Sequence, residues 1–268
     1  MMFFKPEIYF IDLDGTTLDL PKKSQKISDK NLNAIKKMNE TTPIVFSTGR
    51  SNSEFVMNLA KQTNCKYVIC QNGGLIVDIN NNILKKYEIQ KDDVYEIEQL
   101  LKKEKMLFIL NSGHTIYGTT AKLRFISIWA RNIEKKSYDE IPRATNATKI
   151  LTFGKTKKGI RMLRDLLLEK FINIAVHIVS KGYALEITNQ NATKGEGDLF
   201  ICKLLDIDPK KTVHIGDSGN DVVTKSYIGA FVAMGNAVKD IKKQATEVGP
   251  KFKRAGLAKL FNKIQESN

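Results

Sequence analysis

The sequence predicts an α/β protein with a Rossmann-like parallel-sheet core and an inserted α+β domain. Three observations lead there. Short apolar runs alternate with amphipathic segments from residue 7 to about residue 77. That rhythm breaks at an asparagine-rich stretch near residues 80–84, and it returns near residue 187. Alternating strand and helix patterns are the signature of βαβ units, which build a parallel sheet because each crossover helix must return the chain to the same edge direction.

Taken in order, "IYFI" at 8–11 is the first strand, an unbroken apolar run suited to burial on both faces. Residues 28–39 read as a helix, with Leu32, Ile35 and Met38 at helical spacing. A second strand (43–47), a second helix (54–62) and a third strand (67–70) follow, the last ending at the Asn72-Gly73 turn signal. Within the insert come a charged helix (92–105), a strand (107–111) and a mixed segment around Trp129. There Phe125 and Trp129 read as core. A further strand (149–153), a helix (158–171) and a hairpin turning at Lys181-Gly182 close the insert. The parallel rhythm resumes with a helix (196–205), the strand in "KTVHIGDS", a helix (221–227), the strand in "GAFVAMG" and a closing helix (255–264). The expected organisation is a discontinuous core, 1–82 and 187–268, around an insert at 83–186.

Composition narrows the function classes. The 268-residue chain carries a net charge of +14, which favours anionic partners. Its lysines are scattered with no run of five basic residues, so no nucleic acid is expected as a partner. Cys65, Cys70 and Cys202 are odd in number and form no CxxC pair, which fits free thiols in a reducing compartment. The opening "MMFFKPEIYF" is too short and too interrupted for a signal peptide, and no apolar stretch reaches membrane-spanning length. A cytoplasmic protein is expected, with no membrane partner, and nothing demands more than a monomer.

Three strand-like runs end in a polar residue fit for chemistry: Asp12 after "IYFI", Thr48 after "IVFS" and Asp217 after "VHIG". Ligands of open parallel sheets sit outside the carboxyl ends of the strands, so these side chains should converge. Asp14 and Lys194, the latter expected just before a helix, should join them. Two carboxylates about 4 Å apart repel by roughly 4 kcal/mol at an effective dielectric near 20. Clustered carboxylates therefore expect a cation, and an all-oxygen site suits Mg²⁺ with room for phosphate oxygens. Thr48 and the Gly49 N–H can donate to a phosphoryl group, and Lys194 adds a point charge. Phosphoryl transfer needs mainly such positioning and electrostatic stabilisation.

"DLDGTTLD", "FSTGR", "TKGEG" and "GDSGND" stand in the order and spacing of four motifs, and by them the chain resembles the haloacid dehalogenase superfamily. It is similar to the Cof-type phosphatase branch (type IIB), which carries a large C2 cap between the second and third motifs. The resemblance implies a Mg²⁺-dependent phosphatase working through an aspartyl-phosphate on a small phosphorylated metabolite: a sugar phosphate, nucleotide or phosphorylated cofactor. It implies that Asp12 is the nucleophile and Asp14 the general acid/base. The Asp12 carboxylate, the Asp14 backbone carbonyl and Asp217 would hold the metal. Leu13, Thr48, Gly49, Lys194 and Asn220 would bind phosphate, and Asp221 would orient Lys194 or a water on the ion. Cap residues would exclude bulk water and select the leaving group.

Two departures stand out. Val222, Val223 and Thr224 follow the last motif where a methionine-leucine pair is frequent. The stretch "VGPKFKRAGLAKL" is more basic than the family's usual asparagine-glutamate-aspartate-glycine. Arg50 reads equally as a substrate ligand or an ion-pair partner, and His214, inside a strand, reads as packed. "GKTKKG" is no phosphate loop, because Lys149 stands where glycine is required, and "KGEGDLF" fails the dinucleotide fingerprint at Phe200. Two rival readings stay open: a phosphomutase or phosphotransferase on the same fold, and a basic nucleic-acid-binding protein with a dormant core.

Overall fold

The structure, a computed structural model, describes residues 5–21, 26–128, 132–142 and 146–266. The chain divides into two compact units, Met1–Lys85 with Ala192–Asn268, and Lys86–Asn191. The boundaries lie later than the expected 82/83 and 186/187. At the second, the last strand of the insert continues past Glu186 to Asn189, where it pairs with Ile174, so a cut at 186 would sever a hydrogen-bonded ladder.

The first unit begins with β1 (Ile8–Ile11), α1 (Asp29–Asn39), β2 (Ile44–Ser47), α2 (Glu54–Thr63), β3 (Tyr67–Cys70), β4 (Leu75–Asp78) and β5 (Ile83–Lys86). The insert contains α3 (Lys91–Lys103), β6 (Leu107–Leu110), β7 (Thr115–Gly118), α4 (Thr120–Ile126), β8 (Glu134–Ser137), β9 (Lys149–Phe153), α5 (Lys157–Lys170), β10 (Ile174–Val179) and β11 (Ala184–Asn189). The first unit resumes with α6 (Lys194–Leu204), β12 (Thr212–Gly216), α7 (Gly219–Val222), β13 (Ala230–Ala233), α8 (Lys239–Lys242), β14 (Glu247–Val248) and α9 (Gly256–Glu266).

In the first unit the strands run β14-β13-β12-β1-β2-β3-β4-β5. Pairing is parallel from β14 to β3, and β4 turns back antiparallel. Because side chains alternate across a strand, β1 feeds two cores. Tyr9 and Ile11 pack with α1, α2 and α9 through Ile35, Leu59 and Phe261. Ile8 and Phe10 face the other side, with Ile201 and Cys202 of α6. Burial on both faces is why β1 carries no polar residue until it ends at Asp12. Serine at the start of α1 behaves as its residue type predicts: the Ser28 side chain accepts the Asn31 N–H.

The insert is a separate α+β unit with strand order β10-β11-β9-β6-β7-β8, antiparallel except between β7 and β8. Its core joins Ile97 and Leu101 of α3 and Leu163 and Leu167 of α5 to Phe108, Ile150 and Leu185 on the sheet. The hairpin turns where expected, with Lys181 and Gly182 both at positive φ. Phe125 is not core: α4 buries Leu123 and Ile126 and leaves Phe125 71% exposed. Trp129 lies outside the described residues.

Two helices differ from expectation. α6 starts at Lys194 rather than 196, because the Thr193 hydroxyl accepts the Glu196 N–H and caps it there. The segment expected as one helix over 221–227 is α7 followed by a 3₁₀ turn, Val223–Ser226. Thr224 donates its hydroxyl to the Asp221 carbonyl, offering the backbone a competing hydrogen bond that ends the α-helix early.

Candidate active site

The carboxyl ends of β1 and β12 and the start of α6 bring the first set of side chains together. β1 pairs with β12, and past its end the Asp12 N–H still donates to the Ile215 carbonyl at 2.9 Å. That keeps Asp12 beside the turn where β12 runs into Asp217. Glycine is required at the end of β12 and again on the loop after β1. A Cβ on Gly216 would lie 2.1 Å from Asp221 Cγ, and one on Gly15, at φ +83°, would lie 2.3 Å from Asp217 Oδ2.

Lys194, fully buried at the first position of α6, donates to Asp12 Oδ1 at 2.5 Å and to Asp221 Oδ1 at 2.7 Å. Burial alone would neutralise an ammonium, but the two carboxylates outweigh it and hold Lys194 firmly protonated. Asp221 is a hub. Its Oδ1 also faces His214 Nε2 at 3.0 Å, and its Oδ2 accepts the Asp217 and Ser218 N–H groups at 3.0 and 2.9 Å. Burial pushes its pKa up, yet Lys194 and His214 win and hold this carboxyl well below the usual range.

Carboxylate oxygens of Asp12, Asp217 and Asp221 all lie within 4.8 Å of one another. With both Asp221 oxygens already accepting protein donors, Asp12 and Asp217 are the members suited to hold a cation. Their charges are under-compensated. Burial raises Asp12 to about 7 despite Lys194, and burial with the Asp221 charge raises Asp217 to about 6. An all-oxygen pair short of positive charge fits a hard divalent ion. Asn236 steadies Asp217, donating to its Oδ2 at 2.7 Å and to the Gly15 carbonyl at 2.9 Å.

A second group forms around the turn after β3. Asn220 donates to Asn72 Oδ1 at 2.7 Å, and the same oxygen would meet a Cβ on Gly49 at 2.9 Å. Asn72 holds a left-handed φ of 58° to reach this point. Thr48 is buried, and its hydroxyl accepts the Arg50 N–H at 3.1 Å. Neither the Leu13 nor the Gly49 N–H has a backbone acceptor among the described residues, as phosphate donors require.

Asp14 stands apart from the expected convergence. Its carboxylate is more than half exposed and takes a bidentate grip from Arg50, at 2.6 Å to Nε and 2.5 Å to the terminal nitrogen. Arg50 is thus an ion-pair partner here, and Asp14 raises its pKa. Sequence reasoning missed Asp198, Asn72 and Asn236, and it took His214 as packing. Asp198 had a usable signal, since an acid four residues after Lys194 on a helix shares its face. Asn72 and Asn236 had none beyond their turns.

Comparison with known proteins agrees with this geometry. The family model of haloacid dehalogenase-like hydrolases matches residues 9–261. The chain is 25% identical over 261 residues to a phosphoglycolate phosphatase of Methanothrix thermoacetophila, covering 97% of each. It is also 25% identical over 292 residues to the phosphatase YwpJ of Bacillus subtilis, covering 95% of this chain and 98% of that one. Among solved structures, a phosphatase of the same superfamily from Bacteroides thetaiotaomicron superposes with a TM-score of 0.82 at 18% identity, over 97% of this chain and 96% of the other. A family match that spans both units and includes the clustered acids, the buried lysine and the paired asparagines places the chain in the haloacid dehalogenase-like hydrolases, in their Cof-type branch, as a hydrolase of the phosphatase kind.

Proposed function

We propose that the protein is a Mg²⁺-dependent phosphatase that hydrolyses a small phosphomonoester through a phosphorylated Asp12. The observation carrying this reading is the buried Lys194 clamped between Asp12 and Asp221, with Asp217 close by. Lys194 aims Asp12 and offsets part of the rise in its pKa that burial imposes. Asp12 and Asp217 would hold the ion, with the Asp14 backbone carbonyl. When bound, Mg²⁺ would neutralise charge on the acids and the phosphoryl oxygens.

The Leu13 and Gly49 N–H groups, the Thr48 hydroxyl, Lys194 and Asn220 receive the phosphoryl oxygens. Asp12 attacks phosphorus, and the bond to the ester oxygen breaks. Asp14, freed from Arg50 by rotation of an exposed side chain and protonated from solvent, gives that oxygen its proton. It then takes a proton from the water that cleaves the aspartyl-phosphate, returning Asp12 and releasing inorganic phosphate.

The substrate class draws on two supports. Within the first unit, a cavity of ≈ 840 Å³ beside Asp14 is lined by Leu18, Lys26, Arg50, Phe252, Lys253 and Arg254. Four cations against the two carboxylates of Asp14 and Asp19 leave the lining net positive, which suits an anionic leaving group, and the basic departure in the C-terminal stretch supplies two of the cations. The relative from Methanothrix, named for phosphoglycolate, is a precedent for a small acidic substrate. We further propose a monomer in the cytoplasm with no nucleic-acid partner.

The test is release of phosphate from p-nitrophenyl phosphate and a panel of small phosphomonoesters, with and without Mg²⁺. Wild-type protein should turn over only with the ion, and Asp12→Asn should lower the rate by roughly 10³-fold or more with the fold retained. Wild-type activity in that variant would remove Asp12 from the role.

A further inference from the structure

Behind Asp221 lies a buried pair that the chemistry proposed above does not use. His214 on β12 and Asp198 on α6 are both fully buried. His214 Nδ1 lies 2.7 Å from Asp198 Oδ2, and its Nε2 lies 3.0 Å from Asp221 Oδ1. The other Asp198 oxygen accepts from Ser47 at 3.4 Å. Both ring nitrogens therefore face carboxylate oxygens. A neutral imidazole has a single N–H and cannot satisfy two acceptors. The contact to Asp198 and the contact to Asp221 each need a proton.

A buried acid and a buried base are costly, and an apolar pair of similar volume would commonly be at least as stable. The pair is nevertheless tied to the one carboxylate that anchors Lys194. Asp198 and Lys194 sit one helical turn apart on α6, and His214 and Asp221 lie either side of the turn after β12. A single chain of contacts thus runs Asp198, His214, Asp221, Lys194, Asp12.

We infer that His214 and Asp198 are positioning residues: Asp198 holds the imidazole so that Nε2–H donates to Asp221, keeping that carboxylate in place to aim Lys194 at Asp12. This rests on the proposed role of Asp12 for its kinetic consequence, but not for its protonation. Neither residue touches the reacting atoms. Loss of the pair should leave Lys194 charged and present but less well held, so kcat should suffer more than KM.

Two measurements test it. In protein labelled with ¹⁵N-histidine, the Nε2 of His214 should be protonated between pH 6 and about 8, and Asp198→Asn should perturb that resonance; an unprotonated Nε2 overturns the proposal. In the double apolar variant His214→Ala/Asp198→Leu, kcat for p-nitrophenyl phosphate should fall ~10–100-fold with KM within about threefold. Wild-type kcat in a folded double variant would show a purely structural pair and overturn it. Should that variant not fold, the imidazole spectrum of the wild type decides alone. Were the wild type to release no phosphate, the function above would fail while the spectrum still reports on the pair.

Discussion

The two units bury different things. The insert is built on apolar contacts: its main core is Ile, Leu, Val and Phe with Met106, Tyr117 and Ala147, and an acid–base contact within it, Lys149 with Glu186 at 3.3 Å, keeps both side chains partly wet. The first unit also has an apolar layer on each side of β1, yet it seals Asp12, Lys194, Asp198, His214 and Asp221 away from water. Desolvating five ionisable groups opposes folding, and the opposite charges among them offset part of that cost. The difference teaches where stability is committed to chemistry. One unit is a packing problem, and the other holds a charge network that packing alone would not select.

Removing one member of the network should produce the largest effect. Lys194→Met leaves Asp12 and Asp221 facing each other without their shared cation. We expect a loss of about 3–5 kcal/mol in urea unfolding, confined to the first unit by hydrogen exchange, together with loss of phosphate release. An equally large cut into the insert should act differently. Phe108→Ala, in a fully buried side chain of β6, should cost about 3–5 kcal/mol through cavity formation and lower exchange protection in the insert. Should both variants destabilise the same unit, the contrast drawn here is wrong.

A pH series sharpens the comparison without mutation. Burial pulls the His214 pKa down, but Asp198 and Asp221 overcome it and raise it from 6.5 to about 9. Folding thus gains from the bound proton fully below about pH 6.5, and that gain is lost as pH rises through about 9. Protection in the first unit should decline over this window. The insert's two histidines, His114 and His177, are exposed, and its protection should change less. The smallest effect is expected at Glu98 of α3, which is buried with Oε1 lacking a partner and has its pKa raised by burial. Glu98→Gln should stabilise the insert by about 0.5–1 kcal/mol near neutral pH, read from the same unfolding curves.

Much of this molecule was legible in its residues. The run from Ile8 to Ile11 could only be a strand buried on both faces, and the break to Asp12 marked where that strand left the core. The position of Asp12 and Asp217 at the ends of neighbouring parallel strands foretold that these two would meet, because parallel strands present the same end together. Asp14 shows the limit. Its spacing from Asp12 is local and clear, but its partner Arg50 comes from another loop, and no local pattern says which way an exposed carboxylate turns. Phe125 fails for a related reason: an aromatic on a short helix reads as core unless the neighbouring faces are known.

By itself, the sequence determined the βαβ rhythm, the place of the insert and the meeting of Asp12 with Asp217, since these follow from periodicity and from chemical type at strand ends. Only the tertiary structure decided that Asp198 stands behind His214, that Asp221 has no oxygen to spare, and that Asn72 reaches Asn220. Those contacts join residues 16 to 148 positions apart, or turn on which lone pair faces which donor. Charge and hydrogen bonding act through space at a few ångströms, and linear order records such distances only within a turn or a strand.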